Sequence, residues 1–453
     1  MVQIDRHRLD CLLAREQERF ESEHPRSRDL ALRAREHLSG GVPMPWLVRW
    51  PGGSPLFVSR AAGARFVDVD GREYIDFCLG DTGAMTGHAP AAAVAAIGAQ
   101  LERGLTFMLP TEDALTVAAE LARRFGLPFW QIASTATDAN RFAIRLARRI
   151  TGRPKILVFN WCYHGTVDET FAVLAGGRVV ARPGNLGPPV DPAWTTRVVE
   201  WNDFAALERE LAPGDVACVL AEPAMTNVGI VLPAPGFHAH LRAVTRATGT
   251  LLILDETHTL SAGPGGCTLR DGLEPDMVTV GKPLASGLAA AAYGFSAAVS
   301  ARVEAAIRVD ESDTGGIGGT LAANALVLAA MRATLLEVLT DRAYAEMFVL
   351  AERFEAGVQA AVAEAGLPWI VQRLGARVEY WFRDSPPRNG GEAAASIDPE
   401  LDRYMHLAAL NRGILMTPFH NMALMSPATR ADDVDRHTAV FRESVAALLG
   451  SEP

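Results

Sequence analysis

Two stretches carry the strongest structural signal of the sequence, Leu251-Leu252-Ile253-Leu254-Asp255-Glu256-Thr257-His258 and Val278-Thr279-Val280-Gly281-Lys282. Both are short apolar or β-branched runs; the first ends in an acid and the second in a glycine–lysine pair. Such runs are typical of strands buried on both faces of a parallel sheet. Ligands bind outside the carboxyl ends of strands in open α/β sheets. If the two strands are neighbours, Asp255 and Lys282 emerge together at a ligand-binding edge.

An acid and a lysine at such an edge suit pyridoxal 5′-phosphate (PLP). A lysine amine forms a Schiff base with the PLP aldehyde, and a carboxylate pairs with the pyridine nitrogen. Taken singly, each residue also has a structural explanation, because an Asp after a strand commonly caps the next turn and a Lys after a Gly is usually solvated. A PLP site is therefore indicated only together with further motifs.

Length, charge and cysteine usage exclude several classes of protein. The chain has 453 residues, a net charge of −10 and a pI near 5.6, which favour a large globular core and argue against nucleic acid as a partner. The five cysteines are scattered without a CxxC pair, so we expect free thiols and no metal site. The charged first residues lack the apolar run of a signal peptide, and no run of 18 apolar residues predicts a membrane span. We therefore expect a cytoplasmic enzyme.

Strands alternate with helices over much of the chain, which predicts a doubly wound, mostly parallel sheet in an α/β fold. We expect residues 71–325 to form this large PLP-binding domain. We expect residues 326–453 to form a smaller α+β domain, and we expect the N-terminal segment, 1–70, to pack with it. A long helix is expected over 321–339, and an exposed loop over 384–396.

A run of small hydroxyl residues, Ser134-Thr135-Ala136-Thr137, precedes a helix expected over 141–151. Free backbone N–H groups, hydroxyl donors and the positive end of the helix dipole together predict an anion site there. An ordinary helix N-cap is the alternative. For a PLP enzyme, the anion would be the cofactor phosphate.

Six motifs in order resemble the class III aminotransferases, a fold-type I PLP family. Within it the chain is most similar to the branch of glutamate-1-semialdehyde aminomutases, β-amino-acid transaminases and ω-amine transaminases. The motifs are Thr135-Ala136-Thr137-Asp138-Ala139, Tyr163-His164-Gly165, Glu222-Pro223, Asp255-Glu256-Thr257, Gly281-Lys282 and Gly319-Thr320. Two departures are an alanine at 136, where the family has glycine, and a threonine at 257, where it has valine.

The resemblance implies a role for each motif. Lys282 would hold PLP and, once released, would act as the base that moves a substrate proton, while Asp255 would keep the ring nitrogen protonated. Tyr163 and Thr257 would lie on the two faces of the ring, with His164 as a support of Tyr163. The remaining contacts would be Thr135, Ala136 and Thr137 to the phosphate, Glu222 near the ring hydroxyl, and Thr320 to the phosphate of the other subunit of a homodimer with a shared site.

The residues aligned with the substrate side are apolar. Met44, Trp46 and Phe419 stand where related enzymes often carry arginines, which predicts a pocket without a carboxylate fork. The leading hypothesis is therefore a transaminase that takes an amine with a bulky apolar group as donor and a keto acid or aldehyde as acceptor. A carboxylate clamp from Arg49 or Arg377 is the alternative at the pocket. A PLP aminomutase or a PLP lyase is the alternative for the reaction.

Overall fold

The computed structural model describes residues 4–307 and 315–450, and the chain forms two compact units. The terminal unit comprises Met1–Pro90, Arg342–Pro386 and Ser396–Pro453. The sheet unit comprises Ala91–Asp341 and Pro387–Ala395. The units thus divide near residues 90 and 341, whereas the sequence predicted domain boundaries near 70 and 325.

The helices of the described residues range from 5 to 24 residues in length. They are α1 (Arg6–Glu23), α2 (Pro25–Ala34), α3 (Ala91–Leu101), α4 (Asp113–Phe125), α5 (Ala136–Thr151), α6 (Phe204–Leu211), α7 (Phe237–Thr248), α8 (Gly266–Arg270), α9 (Ala297–Ala306), α10 (Ala325–Ala333), α11 (Asp341–Glu364), α12 (Gly390–Ala395), α13 (Pro399–Asn411) and α14 (Ala431–Leu449). None of these helices is both long and apolar enough to cross a membrane.

The strands of the same residues are short. They are β1 (Val58–Ala62), β2 (Arg65–Asp68), β3 (Glu73–Asp76), β4 (Phe129–Ala133), β5 (Lys155–Phe159), β6 (Ala172–Ala175), β7 (Arg178–Ala181), β8 (Thr196–Val199), β9 (Val216–Ala221), β10 (Leu251–Asp255), β11 (Met277–Val280), β12 (Ala291–Phe295), β13 (Ile370–Leu374), β14 (Arg377–Trp381), β15 (Ile414–Leu415) and β16 (Met422–Leu424).

A seven-stranded sheet forms the centre of the sheet unit, in the order β4-β12-β11-β10-β9-β5-β8. Every neighbouring pair is parallel except the two that involve β12. All five residues of β10 are buried, and each large apolar side chain removed from water contributes roughly 1.5–3 kcal/mol. The expected α/β fold with a doubly wound, mostly parallel sheet is confirmed.

The register of β10 and β11 places the two motif residues at one edge. Asp255 pairs with Thr279 across the parallel ladder, and Lys282 follows two residues after β11 ends. The carboxyl ends of both strands therefore lie side by side, as required if Asp255 and Lys282 share a site.

Two local predictions were wrong. The helix expected over 321–339 begins only at Ala325, because the Asn324 side chain caps it by accepting a hydrogen bond from the Val327 N–H, and it passes into a π-helical turn at Thr334–Val338. The loop expected over 384–396 contains α12. Helix α12 packs tightly against the residue that follows β5, since a Cβ on Gly390 would lie 2.0 Å from the Asn160 carbonyl oxygen.

The terminal unit contains two smaller sheets. One has the order β1-β2-β3-β15 and the other β13-β14-β16. The first is fixed to the N-terminal helices by a buried network in which the Tyr74 hydroxyl lies 2.7 Å from His24 Nε2 and donates to Asp68 over 2.9 Å. The mixed helices and strands of this unit agree with the α+β character expected from sequence.

Candidate active site

Asp255 lies at the centre of a buried hydrogen-bond network at the end of β10. Its carboxylate accepts from Asn140 Nδ2 and His164 Nδ1, each over 2.9 Å, and from the backbone N–H of Thr257 over 3.0 Å. Asn140 in turn accepts from the Thr279 hydroxyl over 2.6 Å. Three donors of the sheet unit thus hold one carboxylate in a fixed orientation, and Thr279 in turn holds one of these donors.

The network keeps Asp255 ionised. Burial alone would raise the pKa of this carboxyl, but hydrogen bonds from His164, Thr257 and Asn140 lower the pKa below its ordinary value. Burial also disfavours a charge on His164, yet neighbouring Cys162 and the Asp255 carboxylate raise the pKa of the imidazole. The pair therefore consists of a carboxylate and an imidazolium, and an ionised carboxylate is what a protonated pyridine nitrogen requires.

His164 contacts Asp255, a partner that the sequence did not indicate when it assigned His164 as a support of Tyr163. Its Nδ1 is the atom that contacts the Asp255 carboxylate. The Tyr163 ring is half-buried and meets Phe171 edge-on, with ring centroids 6.2 Å apart. Asn140 was not singled out from sequence, because its position in an amphipathic helix does not reveal which buried acid it reaches.

Lys282 emerges from the strand end in an unusual backbone conformation. Its φ is +53°, a left-handed value that is uncommon for a residue with a side chain and that is concentrated at functional sites. The Nζ atom lies 2.7 Å from His258 Nε2. His258 follows β10 by three residues, so the two side chains come from neighbouring strand ends.

The hydroxyl run lies at the start of α5, which begins at Ala136 and not at residue 141 as expected from sequence. Thr135 is the N-cap, and its hydroxyl accepts from the Asp138 N–H over 3.1 Å. Ala136 begins the helix with helical backbone, so the alanine at this position keeps its N–H at the helix start. A Cβ on Gly281 would lie 2.9 Å from the Ala136 Cβ, which brings the lysine loop against the helix start.

Gly165 makes a second close approach to this helix. It has a φ of +77°, and an added Cβ would lie 2.2 Å from the Thr137 hydroxyl oxygen. The same hydroxyl accepts from the Thr166 N–H over 3.0 Å. The Tyr-His-Gly motif and the hydroxyl run therefore pack together through a glycine that no other residue replaces without displacement.

The residues present fit PLP. An ionised carboxylate, a lysine amine and a helix start with hydroxyl groups are the donors and acceptors that the ring nitrogen, aldehyde and phosphate need. Within the described part of the chain, the buried hydroxyl of Thr257 and the buried Nε2 of His164 have no hydrogen-bond partner. Buried polar atoms are rarely left unsatisfied, and such atoms beside the strand end are consistent with a site built for a polar group.

Glu256, the second acid of the motif, serves the scaffold. Its carboxylate accepts from the backbone N–H groups of Cys267 and Thr268 over 3.1 and 2.5 Å, and it also contacts the Thr259 hydroxyl. A Cβ on Gly266 would lie 2.1 Å from this carboxylate. The two neighbouring acids thus differ in role: Asp255 belongs to the candidate site, and Glu256 holds the start of α8 in position.

Glu222 is a buried acid at the end of β9. Its carboxylate contacts the Thr226 hydroxyl and accepts from the Thr226 N–H over 3.4 Å. Burial raises the pKa of this carboxyl to about 7, against the opposing influence of His164. The carboxyl therefore keeps its proton at pH values where an ordinary glutamate is ionised.

We expect Glu222→Gln to remove a pH-dependent loss of stability. A raised folded-state pKa favours folding below the unfolded value, which is the ordinary pKa of 4.5, and this contribution is lost as the pH rises through about 7. In urea unfolding of cofactor-free protein, the free energy of unfolding of the variant relative to that of the wild type should rise by up to about 3 kcal/mol between pH 5 and pH 8. Glu208→Gln, at an exposed site of α6, is the matched control. Equal pH profiles for wild type and Glu222→Gln would contradict the buried-acid assignment.

The residues assigned to the substrate pocket lie in the terminal unit, where three of them meet. The rings of Trp46 and Phe419 pack edge-on with centroids 5.9 Å apart, and the Arg49 guanidinium carbon lies 5.6 Å from the Phe419 ring centre. Met44 is exposed, and its sulfur accepts from the Trp46 N–H over 3.2 Å. An arginine therefore stands beside the apolar rings.

Arg377, the other arginine considered for a carboxylate clamp, is fully buried, and its Nη2 donates to the Thr82 hydroxyl over 2.7 Å. Arg49 is exposed. Sequence did not indicate the contact between His420 and the buried acid Glu379 on β14. Thr320, expected to reach the other subunit, is exposed in the single chain.

Comparison with known proteins gives a consistent result. Residues 49–442 match the family model described as aminotransferase class-III. A glutamate-1-semialdehyde 2,1-aminomutase of Sorangium cellulosum is 37% identical over 93% of this chain and 97% of its own.

Solved structures extend the comparison. A glutamate-1-semialdehyde-aminomutase of Pseudomonas aeruginosa PAO1 is 52% identical, with a TM-score of 0.97 over 99% of this chain and 100% of its own. A variant of the same enzyme has been solved in complex with PMP. An omega-transaminase of Sphaerobacter thermophilus is 28% identical, with a TM-score of 0.85 over 93% of this chain and 98% of its own.

Proposed function

Because the chain belongs to the class III aminotransferase family and is a PLP-dependent enzyme, we propose that it transfers an amino group within one substrate molecule. The reaction is that of an aminomutase, and the substrate class is a small amino aldehyde with a carboxylate. The observation that carries the proposal is the similarity, over nearly the whole length of both chains, to enzymes named glutamate-1-semialdehyde aminomutases.

This proposal reverses the order of the hypotheses from sequence. A transaminase for an amine with a bulky apolar group was the leading expectation, and an aminomutase was the alternative. The relatives that match most of both chains support the alternative more strongly. The exposed Arg49 beside Phe419 also supports a substrate with a carboxylate, because a guanidinium binds carboxylates through paired hydrogen bonds.

Lys282 is proposed as the residue that links to the PLP aldehyde. The sequence contains lysine at two positions, 155 and 282. Lys155 begins β5 and its Nζ lies 3.4 Å from Asp215. Because β5, β9, β10 and β11 run parallel, the start of β5 lies at the sheet edge opposite to the end of β11. Lys282 is thus the lysine at the edge that carries Asp255.

The other roles are proposed from the site geometry. Bound PLP supplies an electron sink that stabilises the carbanion left when a substrate loses a proton. Asp255, held as a carboxylate by its three donors, pairs with the ring nitrogen. Lys282 Nζ carries the substrate proton. The remaining cofactor contacts are Thr135, Ala136 and Thr137 with the phosphate, Tyr163 and Thr257 with the ring faces, His164 behind Asp255, and Glu222 near the ring hydroxyl.

The reaction class is tested by leaving out any amino acceptor. Full-length enzyme preloaded with PMP is given glutamate 1-semialdehyde alone, and NMR follows the exchange of the amino group and the carbonyl oxygen between C1 and C2. An aminomutase forms the isomer over many turnovers, because donor and acceptor carbons belong to one molecule. Product limited to one equivalent per site, or turnover only after pyruvate is added, would contradict the proposal.

We expect Arg49→Ala to raise the KM for a carboxylate-bearing amino aldehyde about 10- to 100-fold, with a smaller change in kcat, since a charge-assisted hydrogen bond contributes about 1.5–3 kcal/mol. Steady-state kinetics measure this, and Arg60→Ala, an exposed arginine of β1, is the matched control. An unchanged KM for Arg49→Ala would remove Arg49 from substrate binding.

The apolar-amine transaminase stays as a second candidate because of the Trp46–Phe419 ring pair. Rings of this kind favour an aryl-alkyl amine donor. Under this candidate, Phe419→Ala lowers kcat/KM with 1-phenylethylamine and pyruvate, whereas Arg49→Ala leaves that reaction unchanged. The two variants therefore separate the candidates, as each predicts a loss with a different substrate.

A homodimer with a shared site is also part of the proposal, as is a cytoplasmic location. Thr320 and its neighbour Leu321 are exposed in the single chain, and so are Phe107, Met108 and Leu109. The Leu105 carbonyl accepts from the Ala325 N–H over 2.9 Å, which ties these two stretches together. Exposed apolar patches of this kind are typical of subunit interfaces. Light scattering tests the dimer, and a fully active monomer would contradict the role of Thr320.

A further inference from the structure

The contact between Lys282 and His258 is not explained by any of the cofactor roles above. Lys282 Nζ and His258 Nε2 lie 2.7 Å apart, a short distance for a hydrogen bond between nitrogens. Both side chains are half-buried. They arise from the ends of β10 and β11, and the register of these strands fixes their separation. The contact therefore belongs to the scaffold of the site.

The chemistry of the two groups determines which of them donates the hydrogen bond. A lysine ammonium has donors and no acceptor, so Nε2 of a neutral imidazole accepts the hydrogen bond. A protonated amine has no lone pair with which to attack an aldehyde, and it must first lose a proton to a base. Imidazole exchanges protons readily near neutral pH.

The two acids at the end of β10, Asp255 and Glu256, already accept hydrogen bonds from other groups. The Asp255 carboxylate accepts from Asn140, His164 and the Thr257 N–H. The Glu256 carboxylate accepts from the N–H groups of Cys267 and Thr268. A carboxylate saturated with donors is a poor base, because its hydrogen bonds stabilise the ionised form. His258, by contrast, contacts Nζ directly.

We propose that His258 accepts the proton of Lys282 Nζ when this amine joins the PLP aldehyde, and so acts as the proton relay and positioning residue of Lys282. An Nζ–H bond breaks and an Nε2–H bond forms, which leaves the electron pair on Nζ free to bond to the aldehyde carbon. Once the new bond has formed, Nζ gives a second proton to the former aldehyde oxygen, the imidazolium returns the relay proton to the same oxygen, and this oxygen leaves as water. Ammonium and aldehyde thus give a protonated C=N bond and one water, and the imidazole ends neutral. This inference rests on the proposed role of Lys282.

Cofactor loading tests the relay without measuring turnover. Full-length protein freed of cofactor is mixed with PLP, and stopped-flow absorbance follows the band of the lysine-bound cofactor at about 410–420 nm. In His258→Gln, an amide oxygen can still accept from Nζ but cannot carry the proton. We expect the rate constant of band formation to fall about 10- to 100-fold, while the equilibrium affinity for PLP changes less than about threefold.

Chemical rescue separates proton transfer from a structural role. His258→Ala leaves space for a small base, so added imidazole should restore the rate in proportion to its concentration. His240→Gln, on α7 of the same unit, should leave the rate unchanged with or without imidazole. If His258→Gln does not fold, as judged by circular dichroism, His258→Ala alone decides. A wild-type rate in the folded His258 variants, or a slow rate that imidazole does not restore, would overturn the relay.

Failure of the underlying assignment gives a different result. If Lys282→Ala still forms the band, the link is made by another amine, and the roles of Lys282 and His258 fall together. If Lys282→Ala lacks the band and His258→Gln forms it at the wild-type rate, only the relay is overturned. The result does not depend on whether the enzyme is an aminomutase or a transaminase, because the cofactor is loaded before any substrate is added.

Discussion

Lys282→Ala is expected to abolish the absorption band of the lysine-bound cofactor and to lower amino transfer by about 10⁴-fold or more. The substitution removes both the amine that links to PLP and the group that carries the substrate proton. Apart from the contact with His258, it removes little else: alanine keeps a Cβ at the same left-handed backbone position, where φ is +53°. Folding should therefore be preserved, and the loss should be chemical.

The chain provides its own control for this prediction. Lys155 is the second lysine of the sequence, and it is ion-paired with Asp215 at the opposite edge of the sheet. Lys155→Ala should keep the band and the activity, at a cost of at most about 1 kcal/mol in stability. Spectra and steady-state rates of both variants are compared with the wild type. If the band survives in Lys282→Ala but is lost in Lys155→Ala, the cofactor is linked to Lys155 at the opposite edge of the sheet, and the assignment of Lys282 is wrong.

The central strands were predictable because their sequences are unambiguous. The four residues before Asp255 in β10 are all apolar, and a run of that kind is stable only when both faces are covered. By contrast, β12 has the sequence AAYGF, and alanine and glycine carry little strand propensity. It pairs with β11 on one side and β4 on the other, and Gly294 leaves room for Trp130, whose ring atoms would lie 2.6 Å from an added Cβ.

The site was predictable to the extent that it consists of local motifs. Lys282 and Asp255 could be proposed from strand ends, and the hydroxyl run from its place before a helix. The contacts of Asn140 and His258 could not, because each depends on a register between segments far apart in sequence. The bias of the pocket toward apolar side chains led the sequence interpretation to a transaminase with an Arg49 clamp only as the alternative, since the position of Arg49 beside the Phe419 ring depends on two segments far apart in sequence.

Asp255→Asn is expected to lower kcat by about 10²- to 10⁴-fold. The carboxylate accepts three hydrogen bonds, from Asn140, His164 and the Thr257 N–H. An amide in its place carries no charge to hold a proton on the ring nitrogen, and its NH₂ group faces donors that it cannot satisfy. The electron-withdrawing power of PLP therefore falls, and removal of the substrate proton slows.

The same variant should destabilise the cofactor-free protein by about 3–5 kcal/mol at neutral pH, because it leaves the buried His164 without its counter-charge. The pKa of Asp255 is lowered by folding. Its contribution to stability is thus present above the unfolded pKa and is lost as the pH falls through the folded value. Urea unfolding at neutral and acidic pH should show the difference between variant and wild type shrinking in acid.

A double-mutant cycle identifies the source of this effect. If the loss arises from an unpaired imidazolium, adding His164→Asn to Asp255→Asn should recover part of the stability without recovering kcat, because no carboxylate returns to the ring nitrogen. Asp215→Asn, which weakens a partly exposed pair with Arg197, should cost at most about 1 kcal/mol. Additive losses for Asp255→Asn and His164→Asn would show that the two side chains are not coupled. A wild-type kcat for Asp255→Asn would show that the ring nitrogen does not need this acid.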